Sequence, residues 1–195
     1  MMRRISFLVL ILAALWPPVG MVAAQTSATE LLPDGEQFGS GWTSLERVGT
    51  VTGPPSAFTS VAHGVYVGPR GTRLIAAVYV IANGMNELTA AWERGNSDFE
   101  SYRALIGGGN DPQREDNLAL EPLPKGCSDG RRTSGIEHVG YGKFLVGLSL
   151  CIVETDLMVL AFVSGPVGGG GGYEASDAAV AVIVAGANAV TSEAG

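Results

Sequence analysis

Residues 72–82, TRLIAAVYVIA, constrain the fold more than any other stretch of the chain. Successive side chains of a strand point to opposite faces. Here the even positions (Leu74, Ala76, Val78, Val80) and the odd ones (Ile75, Ala77, Tyr79, Ile81) are all apolar. Such a strand must be covered on both sides, which places it centrally in a sheet with helices packed over it. The preceding run, FTSVAHGVYVG at 58–68, is also rich in β-branched and aromatic residues. The Gly68-Pro69-Arg70-Gly71 turn between the two runs predicts a hairpin.

The rest of the chain supplies more strands and the helices. Before the hairpin, Leu31, Leu32, Phe38 and Trp42 can pack, while Pro33 and Asp34-Gly35 force a turn. After it, Asn86 can cap a helix from Glu87 carrying Leu88, Ala91 and Trp92; Gly95-Asn96 interrupts it. Ser97-Asp98-Phe99-Glu100 fits a capping box and starts a second helical piece, ended by Gly107-Gly108-Gly109. Residues 107–125 are polar and rich in Gly and Pro, as expected of a loop forming the lip of a site. The runs 131–140, 143–154 and 157–165 read as three strands, antiparallel across the turns at Tyr141-Gly142 and Glu154-Thr155-Asp156. From Glu174 to Val190, the spacing of Val180, Ile183, Val184, Ala187 and Val190 is helical, although the β-branched content leaves a strand as the alternative. The sum is an α+β domain: an antiparallel sheet of about five to six strands with a central helical segment and a C-terminal helix packed on it.

The first 24 residues read as a secretory signal peptide: Arg3 and Arg4, an apolar run from Ile5 to Trp16, and a small-residue site at Val22-Ala23-Ala24. The alternative is a retained anchor, but Pro17-Pro18 cuts the apolar run short of the roughly 18 to 20 residues a spanning helix needs. Residues 25–195 then form a single domain, secreted or otherwise extracytoplasmic in the cell envelope, with no stable membrane insertion after cleavage. The chain has 12 Lys+Arg and 19 Asp+Glu; without the two leader arginines the balance is ten against nineteen, a net −9. A chain this acidic lacks the basic footprint that nucleic acid or an anionic membrane surface requires.

An exported chain with one cysteine pair favours a disulfide, here Cys127 with Cys151. The bridge closes a loop of about 25 residues, on the order of 3 kcal/mol in the chain-entropy picture.

Several motifs invite a chemical reading. Gly168–Gly172 precedes a helix as a phosphate cradle would, but Tyr173-Glu174 follows where a P-loop has Lys-Ser/Thr. Glu174 and Asp177 also fill the positive end of the helix dipole, so a hinge is the expected role. Gly126-Cys127-Ser128-Asp129-Gly130 matches the G-x-S-x-G elbow in letters, yet a strand rather than a helix is expected after it. His63 and His138 have no metal-ligand spacing, and Glu137 and His138, adjacent on a strand, point apart. No catalytic, cofactor-binding or metal-ligating residue is assigned, and no cofactor is expected. Arg131 and Arg132 could contact an anionic ligand or partner through their planar forks, although pairing with acidic side chains of the chain itself is the plainer expectation.

The leader, the LLPDGEQFGSGW opening, a hairpin followed by a helix, a Cys-linked trio of strands and an Ala-rich closing helix together resemble small secreted α+β domains of bacterial envelopes, some of them PsbP-like. The resemblance implies a binding or sensing module and carries no catalytic residues. The expected function is a non-enzymatic envelope or extracellular module for an unknown protein or small-molecule ligand. A secreted hydrolase using a carboxylate or His138 in a cleft is the alternative, and a structural envelope component a third reading.

Overall fold

The computed structural model describes residues 27–51, 56–105, 115–117, 126–139, 142–154, 156–167 and 172–193. The expected signal peptide, most of the 107–125 loop and Gly168–Gly171 lie outside the described residues. The chain is α+β, built on one antiparallel sheet of seven strands. These are β1 (Thr43–Val51), β2 (Phe58–Val67), β3 (Arg73–Ile81), β4 (Glu115–Asn117), β5 (Asp129–Val139), β6 (Gly142–Val153) and β7 (Leu157–Pro166), ordered β1-β2-β3-β7-β6-β5-β4. Two meanders, β1–β3 and β4–β7, meet along β3 and β7, where Ala77 lies opposite Leu160. The helices are α1 (Met85–Leu105) and α2 (Tyr173–Glu193).

Five strands match the runs expected from the sequence; β1 and the short β4 add two edges. β3 and β7 are central, and β3 is apolar on both faces for that reason. One face carries Leu74, Ala76, Val78, Val159, Ala161 and Val163, buried under Val180, Ile183, Val184 and Ala187 of α2 and under Ala28, Leu31 and Leu32. The other carries Ala77, Tyr79, Leu148, Leu150, Met158 and Leu160 beneath Ala91 and Phe99 of α1. Each helix therefore has its own side of the sheet.

The N-terminal turn packs as expected: Leu31 and Leu32 are buried, Asp34 precedes a 3-10 turn at Gly35–Phe38, and Phe38 meets Trp42 and, edge-on, Tyr66. The β2–β3 connection is the expected hairpin, with Arg70 and Gly71 at positive φ. The expectation of two helical pieces is corrected, because α1 runs unbroken through Gly95-Asn96. Asn86 is not its cap but lies within the first turn, where the Leu88 N–H donates to the Gly84 carbonyl. Gly95 serves packing: a Cβ there would run into Met158 Sδ and stand 3.4 Å from Leu150 Cδ1, so glycine lets the helix lie close on β6 and β7. Ser97 sits mid-helix, its carbonyl accepting from the Ser101 hydroxyl, and Glu100 bonds Arg103 instead of closing a capping box.

Cys127 and Cys151 are joined, S–S 2.03 Å, with Cα atoms 5.5 Å apart. The bond ties the approach to β5 to the last residues of β6.

Candidate functional site

Arg131 and Arg132 are neighbours on β5 and so point to opposite faces. Arg131 reaches α1: Nη1 donates to Asn96 Oδ1 at 2.7 Å, Nη2 to Glu100 Oε1 at 2.6 Å, and the guanidinium carbon lies 4.7 Å from the Phe99 ring centroid. Arg132 reaches α2, with Nη1 donating to Asp177 Oδ2 at 2.8 Å. The second Asp177 oxygen accepts from the Ser149 hydroxyl, and Ser149 and Ser176 share a 2.7 Å hydrogen bond. Arg132, Ser149 and Ser176 are buried. Both forks are thus engaged by side chains of the chain itself, and each fastens one helix to the sheet.

The titratable groups around α1 follow from these contacts. Burial works against ionisation of Glu100, but hydrogen bonds from Arg103 and Arg131, with their charges, outweigh it and hold the carboxyl below its ordinary value. The Tyr79 hydroxyl donates to Asp98 Oδ2 at 2.8 Å, which also accepts from Arg94 Nε at 3.0 Å. Burial first, then the Asp98 carboxylate, raises the Tyr79 phenol well above its ordinary range. On the opposite face Tyr66 donates to the Pro33 carbonyl at 3.1 Å, and burial pushes its phenol up to about 12. Neither phenol ionises near neutral pH.

The other sequence candidates fall apart in space. Ser128 leads directly into strand β5, so the elbow context is absent, and its hydroxyl donates to the Ile152 carbonyl at 3.0 Å. His63 is exposed, with its ring edge-on to Tyr79 at 6.2 Å between centroids. His138 lies on β5, and its side chain is outside the described residues. Among the described residues no group of three or more His, Cys, Asp or Glu could hold a metal ion, and no helix is long and apolar enough to cross a membrane. At α2, Gly172 takes φ 97° and its carbonyl accepts from the Ala175 and Ser176 amides, while Asp177 is committed to Arg132 and Ser149.

Two clefts lie elsewhere, at the end of the sheet where β6 turns into β7. On the α2 side a cleft of about 330 Å³ has an apolar wall of Leu31, Val80, Val153, Leu157 and Ala187 and a polar rim of Glu154, Asp156 and Asn188. On the α1 side a second cleft of about 280 Å³ is lined by Leu88, Thr89, Trp92 and Ile152, with Ser128, Asp129 and Glu154. Glu154 belongs to both. The turn between them is fixed from two directions: the Ile81 N–H donates to the Asp156 carbonyl at 2.7 Å, and the Ser128 N–H to the Ile152 carbonyl at 2.7 Å. Glu154, an exposed residue, adopts φ 50°, unusual for a residue with a side chain, and lines both clefts. Sequence reading missed this site because its walls come from the N-terminal turn, β3, β6, β7 and α2. The only local signal was the Glu154-Thr155-Asp156 turn, which reads as a hairpin connection. The sequence matches no family model and no curated protein.

Proposed function

We propose that the chain is an exported, non-enzymatic binding module of the cell envelope or extracellular space, related in plan to the PsbP-like domains it resembles. Its site is the larger cleft, which takes the apolar body of a small ligand, or a partner's side chain, against Leu31, Val80, Leu157 and Ala187. Glu154 and Asp156 then meet a cationic or hydrogen-bond-donating head. The cleft itself carries this reading: its volume of about 330 Å³ falls at the small end of ligand pockets, and an apolar wall with a few converging polar groups is the usual composition of such sites. The disulfide is compatible with export.

The test is a thermal-shift series with decylammonium and decanoate as probes of matched tail and opposite head. Stabilisation by the ammonium and not by the carboxylate is expected; a site filled to about a hundred times its Kd raises stability by about 2.7 kcal/mol. Ala187→Trp, which fills the cleft, is expected to abolish the shift. No shift with either probe, or an equal shift in Ala187→Trp, overturns the assignment.

A further inference from the structure

β1 is an edge strand, paired with β2 alone, and among the described residues no strand lies on its outer side. Such an edge presents unpaired backbone groups that can template another strand. Of the five exposed large apolar side chains among the described residues, three are on this strand: Leu45, Val48 and Val51, exposed by 65%, 51% and 77%. Their equal spacing makes the set symmetric about Val48.

That symmetry selects a pairing. Two identical strands meeting antiparallel across a two-fold axis normal to the sheet keep like faces together, so a residue of the strand sits on the axis. With Val48 on the axis, Val48 faces Val48, Leu45 faces Val51 twice, Arg47 faces Gly49 and Glu46 faces Thr50. Every exposed apolar residue meets another, and no like charges are opposed. With Arg47 on the axis arginine faces arginine and Leu45 faces Gly49; with Glu46 there, glutamate faces glutamate. The Arg47 charge is answered within its own copy, by Asp34 at 2.9 Å and the Leu32 carbonyl at 3.1 Å. A bulge opposes Ser44 and Leu45 to Tyr66 but leaves Glu46–Val51 in regular register, so the segment the pairing uses is nearly all straight.

We propose that β1 is a self-pairing edge through which a second copy of this chain adds antiparallel, Val48 against Val48, to make one continuous sheet. The contact is one short strand against another, of the weak, transient class.

The test uses the full chain, expressed with its leader and purified as the cell processes it. Sedimentation velocity from about 5 to 500 μM is expected to show a reversible monomer–dimer equilibrium. Val48→Asp, which opposes two carboxylates, is expected to weaken it at least about tenfold. Val48→Cys gives a register readout that does not depend on affinity: mild oxidation is expected to link two copies through residue 48, while Thr50→Cys, four positions from its own copy in this pairing, links poorly. A monomer throughout the concentration range, a dimer unaffected by Val48→Asp, or equal linking at 48 and 50 overturns the proposal.

Discussion

The two helices cover the same sheet by different means. α2 lays an unbroken stripe of Val180, Ile183, Val184 and Ala187 on its face, and its polar anchor, Arg132 with Asp177, Ser149 and Ser176, is largely buried. α1 fully buries Ala91 and Phe99, leans Leu88, Trp92 and Tyr102 on the sheet as partly covered side chains, and is fastened by Arg131 to Glu100 at the rim. A helix held by continuous apolar area and a largely buried ion pair belongs to the core. One held by a close approach and solvated charges is the unit expected to open first. Adjacent arginines on one strand thus do unequal work, because burial decides what an ion pair contributes.

The largest effect should come from breaking the buried anchor. Asp177→Ala removes a carboxylate partner from the buried Arg132 and an acceptor from Ser149, and is expected to cost about 3–5 kcal/mol in urea unfolding. A loss below about 1 kcal/mol would place this anchor in the same class as the rim pair of α1. Next, Gly95→Val forces a branched side chain into Met158 and should cost about 1–3 kcal/mol through overpacking. Amide exchange is expected to quicken along α1 and hold steady along α2; equal quickening would mean that the helices are not separate units.

The smallest effect separates them by pH. Because the folded Glu100 carboxyl lies below its ordinary value, its contribution is fully present above about pH 4.3 and is lost as pH falls through the lower folded value. Its carboxylate is half exposed, so the contribution is well under about 1 kcal/mol. Acid should therefore loosen α1 before α2, and Glu100→Gln should remove that difference in exchange measured at pH 3 and pH 6. An unchanged difference in the variant would assign the acid response to another group.

Much of the fold was legible because burial writes itself into composition. The central strands are apolar over Leu74–Ile81 and Leu157–Val163, and α2 keeps a helical stripe despite its β-branched residues. β1 escaped because an exposed edge strand has no inner face to impose alternation: Thr43–Val51 mixes Glu46, Arg47 and Gly49 with its apolar residues. α1 read as two pieces because Gly95 means both chain break and close approach, and only the position of Met158 distinguishes them. The arginines were visible as residues, but not their separate destinations, since Asn96, Glu100 and Asp177 are 31 to 45 positions away in the chain. The clefts were invisible for the same reason: the larger draws its wall from the N-terminal turn, β3, the β6–β7 hairpin and α2.

The placement of Arg131 and Arg132 also bears on the fidelity of folding. If β5 paired with β6 one residue out of step, each arginine would emerge on the wrong side, and both helices would lose their fastening in a single error. The Cys127–Cys151 bond reads the same alignment at the strand's beginning. Misalignment of β5 therefore cannot be partial or quiet. It is detected on both surfaces of the sheet and at a covalent checkpoint, which leaves the aligned form as the one in which the chain can close.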